Sequence, residues 1–154
     1  MLGPSHLEEF LRSRGIPYRL VEVGEAATSD DASRSLGVEK SQIAKTVVFI
    51  SDSGETVLVV VRADRRVDQA RLAKLLGYRR LRLARTEEVA ESTGYPPGGV
   101  PPLGHLRELP VILDLEIAGG EYWCGGGDER HLLLLDFRMI AGPGFKVMDV
   151  PKKQ

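Results

Sequence analysis

The feature that most constrains this chain is a pair of β-branched runs separated by five residues with a turn signal at their centre. Thr46-Val47-Val48-Phe49-Ile50 and Thr56-Val57-Leu58-Val59-Val60-Val61 flank Asp52-Ser53-Gly54. Such runs favour extended backbone, and the Asp-Ser-Gly insert favours a tight reversal, so the spacing predicts a hairpin of central strands. The remaining elements have to be arranged around that hairpin. Ser5 followed by Glu8 reads as a capping box for a helix over 6–14 that stops at Gly15, and 17–23 reads as a strand. Thr28 and Ser29 are placed to cap a second helix through Leu36, with Gly37 after its end. Val67, Ala70, Leu72, Leu75 and Leu76 give helical spacing up to Gly77; 80–83 reads as a strand, and Thr86 with Glu87 and Glu88 opens another helix.

The segment Gly94 to Gly104 holds four glycines and four prolines in eleven residues, which excludes a regular helix or a central strand. Strand-like stretches follow at 111–117, 121–124 and 131–135, the last two separated by Gly125-Gly126-Gly127-Asp128-Glu129. Asp136 is placed to cap a short final helix, and 145–150 to complete the sheet. Strands outnumber helices and neighbours are hairpin-linked. The expected fold class is therefore α+β, one domain over 1–154 with a mixed, barrel-like sheet flanked by helices. No apolar run approaches the ~20 residues of a membrane span, and a single cysteine, Cys124, gives no internal disulfide and too few thiols for a structural zinc site. A cytoplasmic protein without metal or cofactor is expected.

The candidate chemistry lies in loops and one lysine. Glycines expose backbone N–H groups that can receive an anion or a carbonyl oxygen, so Gly98-Gly99 and Gly125-Gly126-Gly127 are candidate walls of a site; tight structural connections are the alternative. Lys45 stands at the entrance of a core strand, where it either snorkels to solvent or is held in a cleft. No G-x-S-x-G occurs, and His6, His105 and His131 lack metal-ligand spacing. Net charge is −1, but Arg62 to Arg85 carries nine basic residues against Asp64 and Asp68. That patch suits a phosphate backbone, with Arg65, Arg66, Arg71 and Lys74 as candidate contacts; a solvated surface is the alternative.

Ile43-Ala44-Lys45-Thr46-Val47-Val48-Phe49, the helix ending Leu75-Leu76-Gly77, Gly94-x-x-x-Gly98-Gly99-x-x-Pro102-x-Gly104 and Gly125-Gly126-Gly127 together resemble the YbaK/ProX family over roughly 7–137. That family comprises free-standing aminoacyl-tRNA deacylases and the editing domain of bacterial prolyl-tRNA synthetases. The resemblance implies trans-editing of mischarged tRNA, chiefly tRNA for proline carrying cysteine, alanine or serine. It makes the aminoacylated acceptor end the partner, with prolyl-tRNA synthetase as a further one, and Lys45 the match to the family's essential lysine. Gly98, Gly99 and Gly125 to Gly127 then line the aminoacyl pocket, with Val100 a candidate wall residue. Thr46 stands where alanine-specialised members often have asparagine, Pro101 where many members have serine, and His131 near a histidine that some alanine-specific members use. The amino acid removed therefore stays open. A non-catalytic tRNA- or synthetase-binding module is the alternative, distinguished by binding without turnover.

Overall fold

The computed structural model describes residues 1–154. In chain order it contains α1 (Pro4–Ser13), β1 (Arg19–Glu22), α2 (Ser29–Leu36), β2 (Ala44–Ser51), β3 (Thr56–Arg62), β4 (Arg66–Val67), α3 (Gln69–Leu76), β5 (Leu81–Leu83), α4 (Thr86–Thr93), β6 (Val111–Asp114), β7 (Glu121–Gly125), β8 (His131–Asp136), β9 (Phe145–Met148) and β10 (Lys152–Lys153). Short 3-10 turns occupy Lys40–Gln42, Pro97–Gly99 and Phe137–Met139.

The predicted hairpin is the centre of the molecule. β2 and β3 pair antiparallel from Ala44↔Arg62 to Ile50↔Thr56, inside a five-stranded sheet ordered β5-β2-β3-β6-β9. β6 joins β3 in parallel and β9 joins β6 in parallel, so the sheet is mixed. Val57 to Val61 are all buried because both faces of β3 are covered. Side chains alternate across a strand. Leu58 and Val60 accordingly pack with Leu7 and Leu11 of α1 and Leu133 and Leu135 of β8. Val57, Val59 and Val61 pack under Leu72 and Ala73 of α3.

The expected α+β class with a mixed sheet holds, but the sheet does not close into a barrel. β1, β8 and β7 form a separate antiparallel sheet, joined to the first only by a bridge between Ile43 and Trp123. β5 is three residues long and pairs only with Phe49 to Ser51, so β2 keeps one edge open between β5 and the Ile43–Trp123 bridge. That open edge positions the site.

Several ends differ from expectation for local reasons. α1 starts at Pro4, whose fixed φ and missing N–H suit the first helical turn; Gly3 flanks it and Glu8 pairs with Arg12 instead of capping. Val67 belongs to β4, and Asp68 caps α3 by accepting from the Arg71 N–H at 3.2 Å. The strand at 111 ends at Asp114, which is fully buried. Its Oδ1 accepts from the Val150 N–H at 3.0 Å, and its Oδ2 lies 2.8 Å from Lys152 Nζ, an ion pair rather than an aligned hydrogen bond. These contacts hold β10 against β4, a pairing too short to leave any sequence period. Asp114→Asn, which keeps an acceptor but loses the charge, is expected to cost about 2 kcal/mol. Chemical denaturation measures the loss, and hydrogen exchange should rise selectively over 149–153.

Candidate active site

Along the open edge of β2 a cavity of about 120 Å³ opens, lined among others by Lys45, Thr46, Gly98, Val100, Cys124 and Gly125. Its remaining wall comes from Ala26, Ala27, Thr28 and Ser29 at the start of α2, with Ala32, Ile43, Ala44, Pro97 and Leu132. Val48 C=O accepts from the Ala84 N–H on the β5 side. By the two-residue strand period the main-chain groups of Thr46 face that same edge, between β5 and the Ile43–Trp123 bridge, where no strand is paired.

Lys45 is half-buried, and no carboxylate pairs with it. Burial lowers its pKa from the ordinary 10.5; the Lys40 and Arg66 charges add to the effect, while Asp64 opposes it. Lys45 lies opposite Val61 and so shares the face of the sheet that α3 covers; Thr46, opposite Val60, faces the other core. Thr46 Oγ1 is inaccessible to solvent and has no hydrogen-bond partner. A buried hydroxyl without a partner is costly.

The glycines divide into two kinds. Gly98 and Gly125 form cavity wall, whereas Gly99, Gly126 and Gly127 lie behind it. A methyl on Gly99 would meet the Asp128 backbone, and one on Gly126 the His131 backbone, each at less than 3.0 Å. Gly127 has φ +102 and lies against the Pro4 backbone. The N–H groups of these three are engaged within the protein, Gly99 to Pro96 C=O at 2.9 Å, Gly126 to His131 C=O at 3.2 Å and Gly127 to Gly99 C=O at 2.9 Å. Gly98 and Val100, which line the cavity, make no such loop bond through their N–H groups.

His131 stands behind the Gly126 turn rather than on the cavity surface, its Nδ1 2.8 Å from Asp128 Oδ1. Burial pushes the Asp128 carboxyl up, but the hydrogen bonds from His131 and the Arg130 N–H outweigh it and leave the pKa below the usual range. Cys124 does reach the cavity, yet burial pushes its thiol pKa well up and its Sγ donates to Leu133 C=O at 3.4 Å. It is therefore no thiolate nucleophile.

The basic stretch is less uniform than its sequence. Arg62 pairs with Asp64, Arg65 with Glu116, Arg82 with Glu88 and Arg85 with Glu87. Of the four candidate backbone contacts, Arg65 is thus engaged, while Arg66, Arg71 and Lys74 keep unpaired charges. Sequence reasoning assigned Thr28 and Ser29 only to a helix cap, which Thr28 does provide by accepting from the Asp31 N–H at 3.0 Å. The run Ala26-Ala27-Thr28-Ser29 held a further signal, because small residues before a helix let a ligand approach the unsatisfied N–H groups of its first turn. No helix is long and apolar enough to cross a membrane.

Comparison with known proteins identifies the family and the fold. A family model described as the aminoacyl-tRNA editing domain matches residues 23–140. The chain is 37% identical over 109 residues to the proline–tRNA ligase of Nitratidesulfovibrio vulgaris (strain DP4), covering 70% of this chain and 19% of that protein. It is 32% identical over 131 residues to the proline–tRNA ligase of Stenotrophomonas maltophilia (strain R551-3), covering 81% of this chain and 23% of that one. The chain therefore spans about a fifth of the length of these relatives. Among solved structures, hypothetical protein APE2540 superposes with a TM-score of 0.87 at 33% identity over 96% of this chain and 99% of the other. A candidate trans-editing enzyme for prolyl tRNA synthetase superposes with a TM-score of 0.84 at 34% identity over 98% and 97%.

Proposed function

This chain belongs to the aminoacyl-tRNA editing domain family, and from that premise we propose that it is a trans-editing hydrolase which removes a small wrong amino acid from tRNA, with tRNA for proline as the leading substrate. The observation that carries the reading is the cavity on the open edge of β2, which combines an unpaired, half-buried Lys45 with an unpartnered Thr46 hydroxyl. The relation to proline–tRNA ligases and to a candidate trans-editing enzyme for prolyl tRNA synthetase supports tRNA for proline and makes the synthetase a candidate partner.

An aminoacyl ester is already activated, so its hydrolysis needs a positioned water and stabilisation of the oxyanion that develops on the carbonyl. The Gly98 and Val100 N–H groups, with the first turn of α2, supply donors from one wall, and Lys45 supplies positive charge from the other. In this scheme His131 acts by holding the Gly126-Gly127-Asp128 turn behind the wall. The volume of about 120 Å³, bounded by alanine and glycine, suits a small side chain such as that of alanine, serine or cysteine. Discrimination by size alone is worth about 1–3 kcal/mol per methylene, so proline has to be excluded by the shape of its ring.

The test is release of labelled amino acid from tRNA for proline charged separately with alanine, cysteine, serine and proline. Wild type is expected to release at least one of the first three at least tenfold faster than proline. Binding of all four without release of any would instead identify a non-catalytic tRNA-binding module.

A further inference from the structure

Arg66 and Lys153 stand directly opposite each other in the β4–β10 ribbon. Opposed residues of an antiparallel pair have Cβ atoms about 5 Å apart, and two like charges there repel. Val67 and Lys152, the neighbouring pair, turn inward: Val67 packs on the α3 core and Lys152 reaches Asp114. By strand alternation Arg66 and Lys153 therefore both point outward.

The acids around the ribbon are already taken. Asp64 pairs with Arg62, Glu116 with Arg62 and Arg65, Asp114 and Asp149 with Lys152, and Asp68 caps α3. Neither Arg66 nor Lys153 has an ion-pair partner. Groups other than the two cations fix the register, namely the Asp68 N–H donating to Pro151 C=O at 2.8 Å, together with the two Asp114 contacts. The fold thus holds two unpaired cations side by side by main force of its neighbours, and an anion between them would relieve the repulsion.

The ribbon also lies next to the cleft. Val61, Val67 and Val150 share one core, and Val61 is the cross-strand neighbour of Lys45. We infer that Arg66 and Lys153 form a phosphate-binding pair beside the cleft that takes a backbone phosphate of the unpaired 3′ end of the tRNA. The inference rests on the editing function proposed above, and it adds a contact outside the residues 23–140 that the family model matches.

The experiment measures tRNA binding by fluorescence anisotropy across a salt series for wild type, Lys153→Gln, Arg66→Gln, the double variant and Lys153→Arg. Each neutralisation is expected to reduce the slope of log K against log salt by about 0.7 and to weaken binding roughly five- to tenfold at about 50 mM salt. Lys153→Arg should restore both, and removing the unpaired 3′ nucleotides from the RNA should abolish the difference between Lys153→Gln and wild type. Without RNA, the single neutralisations should leave the melting temperature unchanged or raised, because a repulsion is removed. An unchanged slope, a loss that Lys153→Arg does not restore, or a difference that survives removal of the 3′ nucleotides overturns the inference. If wild type hydrolyses mischarged tRNA while the slopes are unchanged, only this inference falls; if wild type neither binds nor hydrolyses it, the editing function falls and takes this inference with it.

Discussion

Lys45→Ala is expected to slow release of the amino acid from mischarged tRNA by about 10²- to 10³-fold, the loss typical of one preorganised donor to an oxyanion. Three observations give that size. Lys45 lines the cavity, no carboxylate competes for its charge, and partial burial strengthens its action on a nearby oxygen. Loss of folding would not account for the effect. A lysine whose folded-state pKa lies below its unfolded value of 10.5 binds its proton less tightly when folded. Near neutral pH its charge therefore opposes folding, and that opposition disappears as the pH rises above 10.5. Lys45→Met, which keeps most of the stem, should accordingly melt no lower than wild type at pH 7 while losing the same activity. Single-turnover deacylation beside thermal melts at pH 7 and pH 11 tests both parts. Full turnover by either variant would remove Lys45 from the chemistry.

Gly125→Ala is expected to cost about 3 kcal/mol and most of the activity. A Cβ at this position would come closer than 3.0 Å to the Val100 carbonyl oxygen and carbon, and both are backbone atoms in a proline-bounded turn. The two chain segments would have to part, which displaces Gly98 and Val100 from the cavity. Gly98→Ala is the informative contrast. Its nearest neighbours would be Glu129 Cγ at 3.0 Å, on a flexible side chain, and the Ala27 Cα and Cβ at 3.2 Å. It should fold with a loss of about 1 kcal/mol or less, yet still narrow the cavity. Denaturant midpoints separate the two variants, and equal midpoints would mean that the glycine packing is looser than these distances indicate.

Much of the fold was legible in the residues because local chemistry set it. The β2–β3 hairpin, the Thr28 cap, the left-handed Gly37 and Gly77, and the α4 helix with its acidic first turn each depend on neighbours within a few positions. The misplaced features were of another kind. Barrel closure depends on which strands meet at the edges, and the short β5 leaves part of β2 unpaired. β10 forms only because Asp114, 36 positions before Val150, holds the segment in place. No period within β10 itself could report that contact.

The candidate site divides in the same way. By itself the sequence determined the residue types that any site here could use: a lysine at a strand entrance, glycine loops that free or pack backbone, and one cysteine without ligating companions. The tertiary structure alone decided which of them meet. It brought Lys45, Thr46, Gly98, Val100 and Gly125 to one cavity, turned Gly99, Gly126 and Gly127 into packing positions, and neutralised Arg62, Arg65, Arg82 and Arg85 while leaving Arg66 bare. The reason is range. Backbone preference and capping act over a few residues, whereas burial, close approach and charge pairing depend on distances in space, which only the folded chain fixes.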